Sequence, residues 1–338
     1  MFSYPKWWEM EGPRLERSVT LRFYGDWGIG NLHRVCGWLS MMMVDRTGKH
    51  SRFGIWNGRG GADAVRAVGR GEVDLALTTP AVSARMALDG GGIYAGEAFP
   101  HIRALGRVPQ WDHLFFTMDP ELGISSFDDI RAQKPALTIA TCPDDGENLI
   151  GYAAGQVMSA AGIDRATLES WGGGYVTAER ANGCIDLAMN GPANAIIHEA
   201  IMTTWWQTLA NEKDLAFIPI EEAVLETMET KYGWGRKELP AGYFRGLDEP
   251  LPTLDFSDFL LVVRDDMAED VAHLLTWCLC ETRGALEQQY HHIPPERSPV
   301  TYPLEPEKMA QTPIPLHPGA RRYYDEAGIS IQTDNASA

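Results

Sequence analysis

Hydrophobic and polar residues alternate from Val19 to Tyr24, with Val19, Leu21 and Phe23 on one side, and this period of two predicts a first strand. After a loop at 25–30, Leu32, Val35, Cys36, Leu39, Met42 and Met43 recur at helical spacing, a Met-rich face that reads as core filling. A short strand from Phe53 to Trp56 runs into a turn carrying Gly58, Gly60 and Gly61. Ala62, Val65 and Val68 then share one helical face, and Gly69 and Gly71 stop the helix. Val73, Leu75 and Leu77 alternate as the next strand, which ends at Thr78-Thr79-Pro80. The pattern is a strand–helix–strand unit whose last strand ends in hydroxyls. In open parallel sheets, ligands lie outside such strand ends, and helix N-termini offer free N–H groups there.

Further on, Ile102 to Arg107 and His113 to Met118 read as strands leaving the first lobe. Ser126 caps a helical turn at 124–130. Leu137 to Ala140 is a buried strand, followed by the loop Thr141 to Asn148 and a helix from Leu149 to Ala161 that ends at Gly162. Cys184 to Met189 reads as a strand whose Asp186-Leu187-Ala188 echoes Asp74-Leu75-Ala76. It runs into Asn190-Gly191-Pro192-Ala193-Asn194. Glu221 to Lys231 predicts a helix, 240–252 a Pro/Gly-rich loop, Phe259 to Val263 a returning strand and Val271 to Gln289 a long helix. The tail QTDNASA is expected to be disordered.

Composition narrows the partners. The 338 residues suggest two domains as a prior, and a net charge of −17, from 29 basic and 46 acidic residues, argues against nucleic acid. No run approaches the ~18 apolar residues of a membrane span, so no membrane insertion is expected. The stretch before Ser18, with Trp7 and Trp8 among charges, lacks the apolar core of a signal peptide. As the chain stands this points to the cytoplasm, or to the periplasm if the N-terminus was processed or mis-assigned. The 5 cysteines have no framework spacing, and all are expected to be reduced.

Some motifs carry little. Gly25 to Gly30 is spaced like a dinucleotide loop, but the third glycine is misplaced and Asp26 would face the pyrophosphate, so no cofactor is expected. His291-His292 point apart and read as exposed loop residues. Cys278-x-Cys280 lacks a second pair, and no metal is expected. The loop at 144–148 is different. Asp144, Asp145 and Glu147 precede a helix, where one acid would suffice for the dipole, so capping and function both stay open.

Three segments resemble the TAXI family of solute-binding receptors of tripartite TRAP transporters. They are Gly71-Glu72-Val73-Asp74-Leu75-Ala76, the return segment at 242–271 and, most specifically, IPLHPGARRYYDEAG at 314–328. The resemblance covers about residues 19 to 328. It implies an α/β periplasmic-binding-protein type II fold with two lobes joined by a two-strand hinge and a ligand cleft between them. The lobes implied are 1–112 with 256–338, and 113–255. The chain departs from the family where Asp26, Trp27, Asn31 and His33 replace a hydroxyl-bearing loop, and where Asp145-Gly146-Glu147-Asn148 replaces small hydroxyls.

The reading is a protein that closes on a small polar organic molecule, a carboxylate or a zwitterion, with TRAP membrane subunits as the implied partner. Candidate contacts in the first lobe are Asp26, Trp27, Asn31, Trp56, Arg59, Thr78 and Thr79. In the second they are Asp145, Glu147, Asn148, Trp171, Asn190 and Asn194, with Tyr243 from the return loop. The tryptophans supply flat apolar walls and Arg59 a carboxylate clamp. The rival reading is a cytoplasmic cofactor-independent decarboxylase or lyase on the same scaffold, with Asp26 or Asp145 as general acid–base and His33 nearby. A sensor or interaction subunit is a third class. The acids also permit a divalent metal, though no ligand spacing supports one.

Overall fold

A computed structural model describes residues 10–28 and 30–331. The expectations for the stretch with Trp7 and Trp8 and for the tail QTDNASA lie outside them. The chain divides into two compact units, one of Met1–Trp111 with Ser257–Ala338 and one of Asp112–Phe256.

Unit 1 begins with β1 (Thr20–Tyr24), α1 (Asn31–Val44), β2 (Arg52–Trp56), α2 (Ala62–Gly69), β3 (Leu75–Thr78), α3 (Ala84–Asp89) and β4 (Ile102–Val108). Unit 2 holds β5 (His113–Met118), α4 (Phe127–Gln133), β6 (Thr138–Thr141), α5 (Leu149–Ala160), α6 (Arg165–Ser170), β7 (Gly174–Thr177), α7 (Ala181–Met189), β8 (Ala195–His198), α8 (Thr204–Glu212), β9 (Ala216–Ile218), α9 (Glu222–Tyr232), β10 (Arg236–Leu239) and β11 (Leu251–Asp255). The chain returns to unit 1 with β12 (Phe259–Arg264), α10 (Glu269–Glu281), α11 (Arg283–Glu287), α12 (Pro306–Met309) and α13 (Pro318–Glu326).

Unit 1 is built on a five-stranded sheet in the order β2-β1-β3-β12-β4. The first three strands are parallel, and β12 runs antiparallel to β3 and β4. β4 therefore stays in unit 1, and of the two strands read as leaving the first lobe only β5 enters unit 2. β3 lies centrally, and all four of its residues are buried, so it is covered on both faces and does not alternate. Phe23 and Leu39 are fully buried on this sheet's elements, each contributing roughly 1.5–3 kcal/mol of hydrophobic burial.

The C-terminal motif docks the last helix onto this sheet. The N–H of Ala104 donates to Pro315 O and that of His317 to Ala104 O. His317 Nδ1 caps α13 by accepting from the Gly319 N–H at 3.1 Å. Gly319 is required by close packing, because a Cβ there would lie 2.2 Å from Glu269 O at the start of α10. Tyr324 donates to Leu105 O and Tyr323 to Glu281. The long helix expected over 271–289 breaks at Thr282, whose hydroxyl donates back to Cys278 O while Arg283 donates to Cys280 O.

Unit 2 has seven strands, ordered β10-β11-β5-β8-β6-β7, with β9 also on β5. β7, β6 and β8 are parallel, and β5 is antiparallel to β8. Here one expectation is corrected. Cys184 to Met189 is part of helix α7, not a strand. Its buried residues, Ala181, Cys184, Ile185 and Ala188, recur at three and four, the helical interval. The strand of this region is the fully buried β8, after Asn194.

Candidate functional site

In unit 1 the loops after β1 and β2 and the end of β3 meet at the carboxyl ends of three adjacent parallel strands. The N–H of Gly25 donates to Trp56 O and that of Gly58 to Asp26 O. Thr78 Oγ1 donates to Gly61 O at 3.1 Å, and the Thr79 N–H donates to Gly60 O. Asp63, in the first turn of α2, accepts from the N–H groups of Arg59 and Gly61 and from the Tyr24 hydroxyl. The glycine loop is therefore fixed in place by its own helix.

Asp26 sits at the centre of this face and is 3% exposed. Its Oδ1 accepts from the N–H groups of Gly28 and Gly30, and its Oδ2 from those of Leu32 and His33, at 2.9–3.3 Å. The carboxylate organises the start of α1, where N–H groups have no intrahelical partner. Gly30 belongs to this arrangement, since a Cβ there would lie 2.2 Å from Asp26 Oδ2. Asn31 Oδ1 accepts from the Tyr290 hydroxyl at 3.0 Å. The other candidates differ. Thr79 Oγ1 and His33 Nδ1 are buried with no hydrogen-bond partner among the described residues. Trp56 is 46% exposed at the end of β2, and Trp27 and Arg59 are half-buried in the adjoining loops. Unit 1 thus gathers all seven of its sequence candidates and His33 on one strand-end face.

Unit 2 gathers fewer. Asp145, Glu147 and Asn148 follow β6 at its carboxyl end. Asn148 is buried and caps α5, its Oδ1 accepting from the N–H groups of Ile150 and Gly151. Asp145 is exposed and accepts from the N–H groups of Glu147 and Asn148 within its own loop. Glu147 is exposed beside it. Trp171, Asn190 and Asn194 are not brought to this loop. Trp171 lies in the turn before β7, Asn190 closes α7, and Asn194 precedes β8. Asn194 Oδ1 accepts from the N–H of Thr138, the first residue of β6, so these residues mark the amino ends of the parallel strands. The displacement follows from α7 being a helix: the loop after it enters a strand rather than leaving one. Tyr243 is 7% exposed and sets its ring edge against Phe244, which stacks on Phe217 and Phe115, so it belongs to an aromatic core cluster.

One group of unit 2 carries no signal in the sequence. Cys142 directly follows β6, His198 ends the neighbouring β8, and Cys184 comes from α7. All three are buried. Cys142 Sγ lies 3.9 Å from Cys184 Sγ and 3.4 Å from His198 Nε2. The hydrogen bond from Cys142 pulls the Cys184 thiol down, against the effect of burial. The same bond and burial push Cys142 well up. Burial works against a charged His198, but the Cys184 thiolate outweighs it and raises the imidazole's pKa. Beside them, Asp112 accepts from the N–H groups of His113, Ala200 and Ile201, while burial and Asp112 hold Glu199 well above the usual carboxylate range. Ala200 adopts a left-handed conformation, φ 66°, within this arrangement.

The profile of the NMT1-like family matches residues 39–328. The chain belongs to the NMT1-like family. No curated protein matches it in sequence. Solved structures extend the likeness at low identity. A protein from Bordetella bronchiseptica RB50 is 11% identical, with 92% of this chain and 98% of that one covered and a TM-score of 0.51. A TctC solute binding protein from Polaromonas is 12% identical over 92% and 98%, with a TM-score of 0.46. The alkanesulfonate-binding protein SsuA from Xanthomonas axonopodis pv. citri, bound to MOPS, is 13% identical over 93% and 95%, with a TM-score of 0.38. This NMT1-like chain has an α/β fold built on two sheets, a fold it shares with the Bordetella bronchiseptica protein. Among the described residues, no helix is long and apolar enough to cross a membrane.

Proposed function

We propose that this NMT1-like protein is a solute-binding protein of the TAXI type that takes a small polar organic molecule, a carboxylate or a zwitterion. The observation that carries this reading is the strand-end face of unit 1. Thr79 Oγ1 and His33 Nδ1 are buried there without partners, beside an exposed Trp56 and a glycine loop that is already fixed. A buried hydroxyl without a partner costs stability, on the order of 1–3 kcal/mol, unless something completes its hydrogen bonds. A bound solute does so. The acids of an enzymatic reading, Asp26 and Asp145, are already engaged with backbone N–H groups, which supports binding over general acid–base work. TRAP membrane subunits are the partner this reading expects.

The test is a thermal-shift screen of the purified chain against organic acids and amino acids, followed by calorimetry of any hit on Thr79→Val. The expected result is a solute that raises the melting temperature and binds the variant at least about tenfold more weakly, the loss of one well-made hydrogen bond. A solute that binds Thr79→Val as tightly as the wild-type chain would remove this face from the site.

A further inference from the structure

We infer that Cys142, Cys184 and His198 form a binding site for one thiophilic divalent ion of the zinc class, built into the core of unit 2. The ligand atoms all lie within 4.8 Å of one another. With metal–sulfur bonds of about 2.3 Å and a metal–nitrogen bond of about 2.0 Å, tetrahedral geometry puts sulfur pairs about 3.8 Å apart and a sulfur–nitrogen pair about 3.5 Å apart. The measured separations are 3.9 Å for Cys142 to Cys184 and 3.4 Å for Cys142 to His198. Two of the three ligand pairs are therefore already near coordination spacing, and the third lies within 4.8 Å.

The support around the ligands fits as well. His198 Nδ1 lies 3.0 Å from Glu199 O, so Nδ1–H donates to that carbonyl and leaves the Nε2 lone pair on the sulfur side. This is how ligating imidazoles are oriented by a group behind them. The three residues also come from rigid elements. Cys142 extends β6 and His198 ends β8, and these strands pair in parallel register through Ala140 and Ile196. Cys184 sits in the second turn of α7, which packs on both strands. An ion here would tie the helix to the sheet.

Charge favours a divalent ion. Two thiolates and a neutral imidazole carry a charge of −2, which a 2+ ion cancels, whereas a monovalent ion would leave net charge in a fully buried place. On binding, any protons still carried by the two sulfurs and by His198 Nε2 are released to solvent, and the contact of Cys184 Sγ with Ala178 O is lost. The described residues offer three ligands, and water completes the fourth position.

The test uses the full chain, stripped with a chelator under reducing conditions, reloaded with Zn²⁺ and desalted. Elemental analysis should find one zinc per chain. Co²⁺ loaded in its place should show sulfur-to-cobalt charge-transfer absorption with the band pattern of a tetrahedral site, a readout that needs no variant. Cys184→Ser should weaken zinc binding by more than about 100-fold, beyond what loss of a supporting group causes. Cys36→Ser and Cys278→Ser, far along the chain in unit 1, should leave the stoichiometry at one. No retained zinc, zinc retained equally by Cys184→Ser, or a cobalt spectrum without thiolate bands would each overturn the site. So would a Cys142–Cys184 disulfide, seen as a loss of two mass units, in protein kept in the same reducing buffer.

Discussion

The loop after β1 and the loop after β6 each place an aspartate ahead of a helix, and the two aspartates do different things. Asp26 in unit 1 is buried and takes four backbone N–H groups. Asp145 in unit 2 is exposed and takes two within its own loop, while the neutral Asn148 caps the helix. A buried carboxylate is stable only when its oxygens are fully occupied, so Asp26 had to become part of the scaffold. An exposed one keeps water on its remaining lone pairs, so burial does not oblige it to become part of the scaffold. An acid read from sequence near a strand end thus means scaffold or contact according to its burial.

The comparison breaks most sharply at Asp26. Asp26→Ala removes the acceptor of four N–H groups in the loop before α1 and its first turn, that of Leu32 in a buried place. The expected loss is about 3 kcal/mol or more in urea unfolding. A loss below about 1 kcal/mol would mean that Asp26 is no more structural than Asp145.

A second effect concerns a buried imidazole of unit 2. His113 is fully buried, with Nδ1 2.7 Å from Thr253 Oγ1. Burial, helped by the Lys237 charge, pushes its pKa down to about 3. The folded pKa is below the unfolded value of roughly 6.5, so the unfolded chain takes up a proton first as the pH falls. Stability is therefore lost between about pH 6.5 and pH 3, at up to about 1.4 kcal/mol per pH unit. His113→Leu removes this dependence, and Thr253 keeps its bond to Lys237 O. The stability difference between the wild-type chain and the variant should shift by about 2 kcal/mol between pH 7 and pH 5. Parallel curves at the two pH values would refute the assignment.

These two positions also mark where sequence reasoning stops. The candidate face of unit 1 was legible because it is made of consecutive strand ends, and the period-two and period-3.6 patterns at 19–79 place Asp26, Trp56 and Thr79 on one edge. Unit 2 misled at Cys184 to Met189, where Asp-Leu-Ala has the same letters as the β3 strand but buries its residues at helical intervals. That one change of element moved Asn190 and Asn194 to the opposite end of the parallel strands. The cysteine–histidine group was not legible at all. Its members are 42 and 56 residues from Cys142, and only the β6–β8 pairing and the packing of α7 bring them together. The C-terminal motif carried family information, but the work of its His317, Gly319 and Tyr324 is to dock α13.

Asn148→Ala comes next in size. The cap accepts from Ile150 at 3.0 Å and from Gly151 at 3.2 Å, and losing an N-cap of this kind costs about 1 kcal/mol, up to about 2. Asn148→Asp keeps the acceptor and should restore most of that stability. If the alanine variant is as stable as the wild-type chain, the loop is held by Asp145 after all, and the contrast with unit 1 narrows.

The smallest expected effect on stability is at Asp145. Asp145→Asn retains an oxygen that can accept from Glu147 and Asn148, and the group is exposed, so unfolding should change by no more than about 0.5 kcal/mol. Affinity is where the two loops should separate. If the solute presents an ammonium group to this loop, removing the charge weakens binding, whereas a simple carboxylate binds more tightly once the repulsion is gone. Either direction, read by calorimetry with the solute found in the screen, makes the exposed loop a contact, in the way the buried Asp26 is not. Asp145→Asn and Glu147→Gln both binding as the wild-type chain does would mean that the acids of unit 2 serve only their own loop.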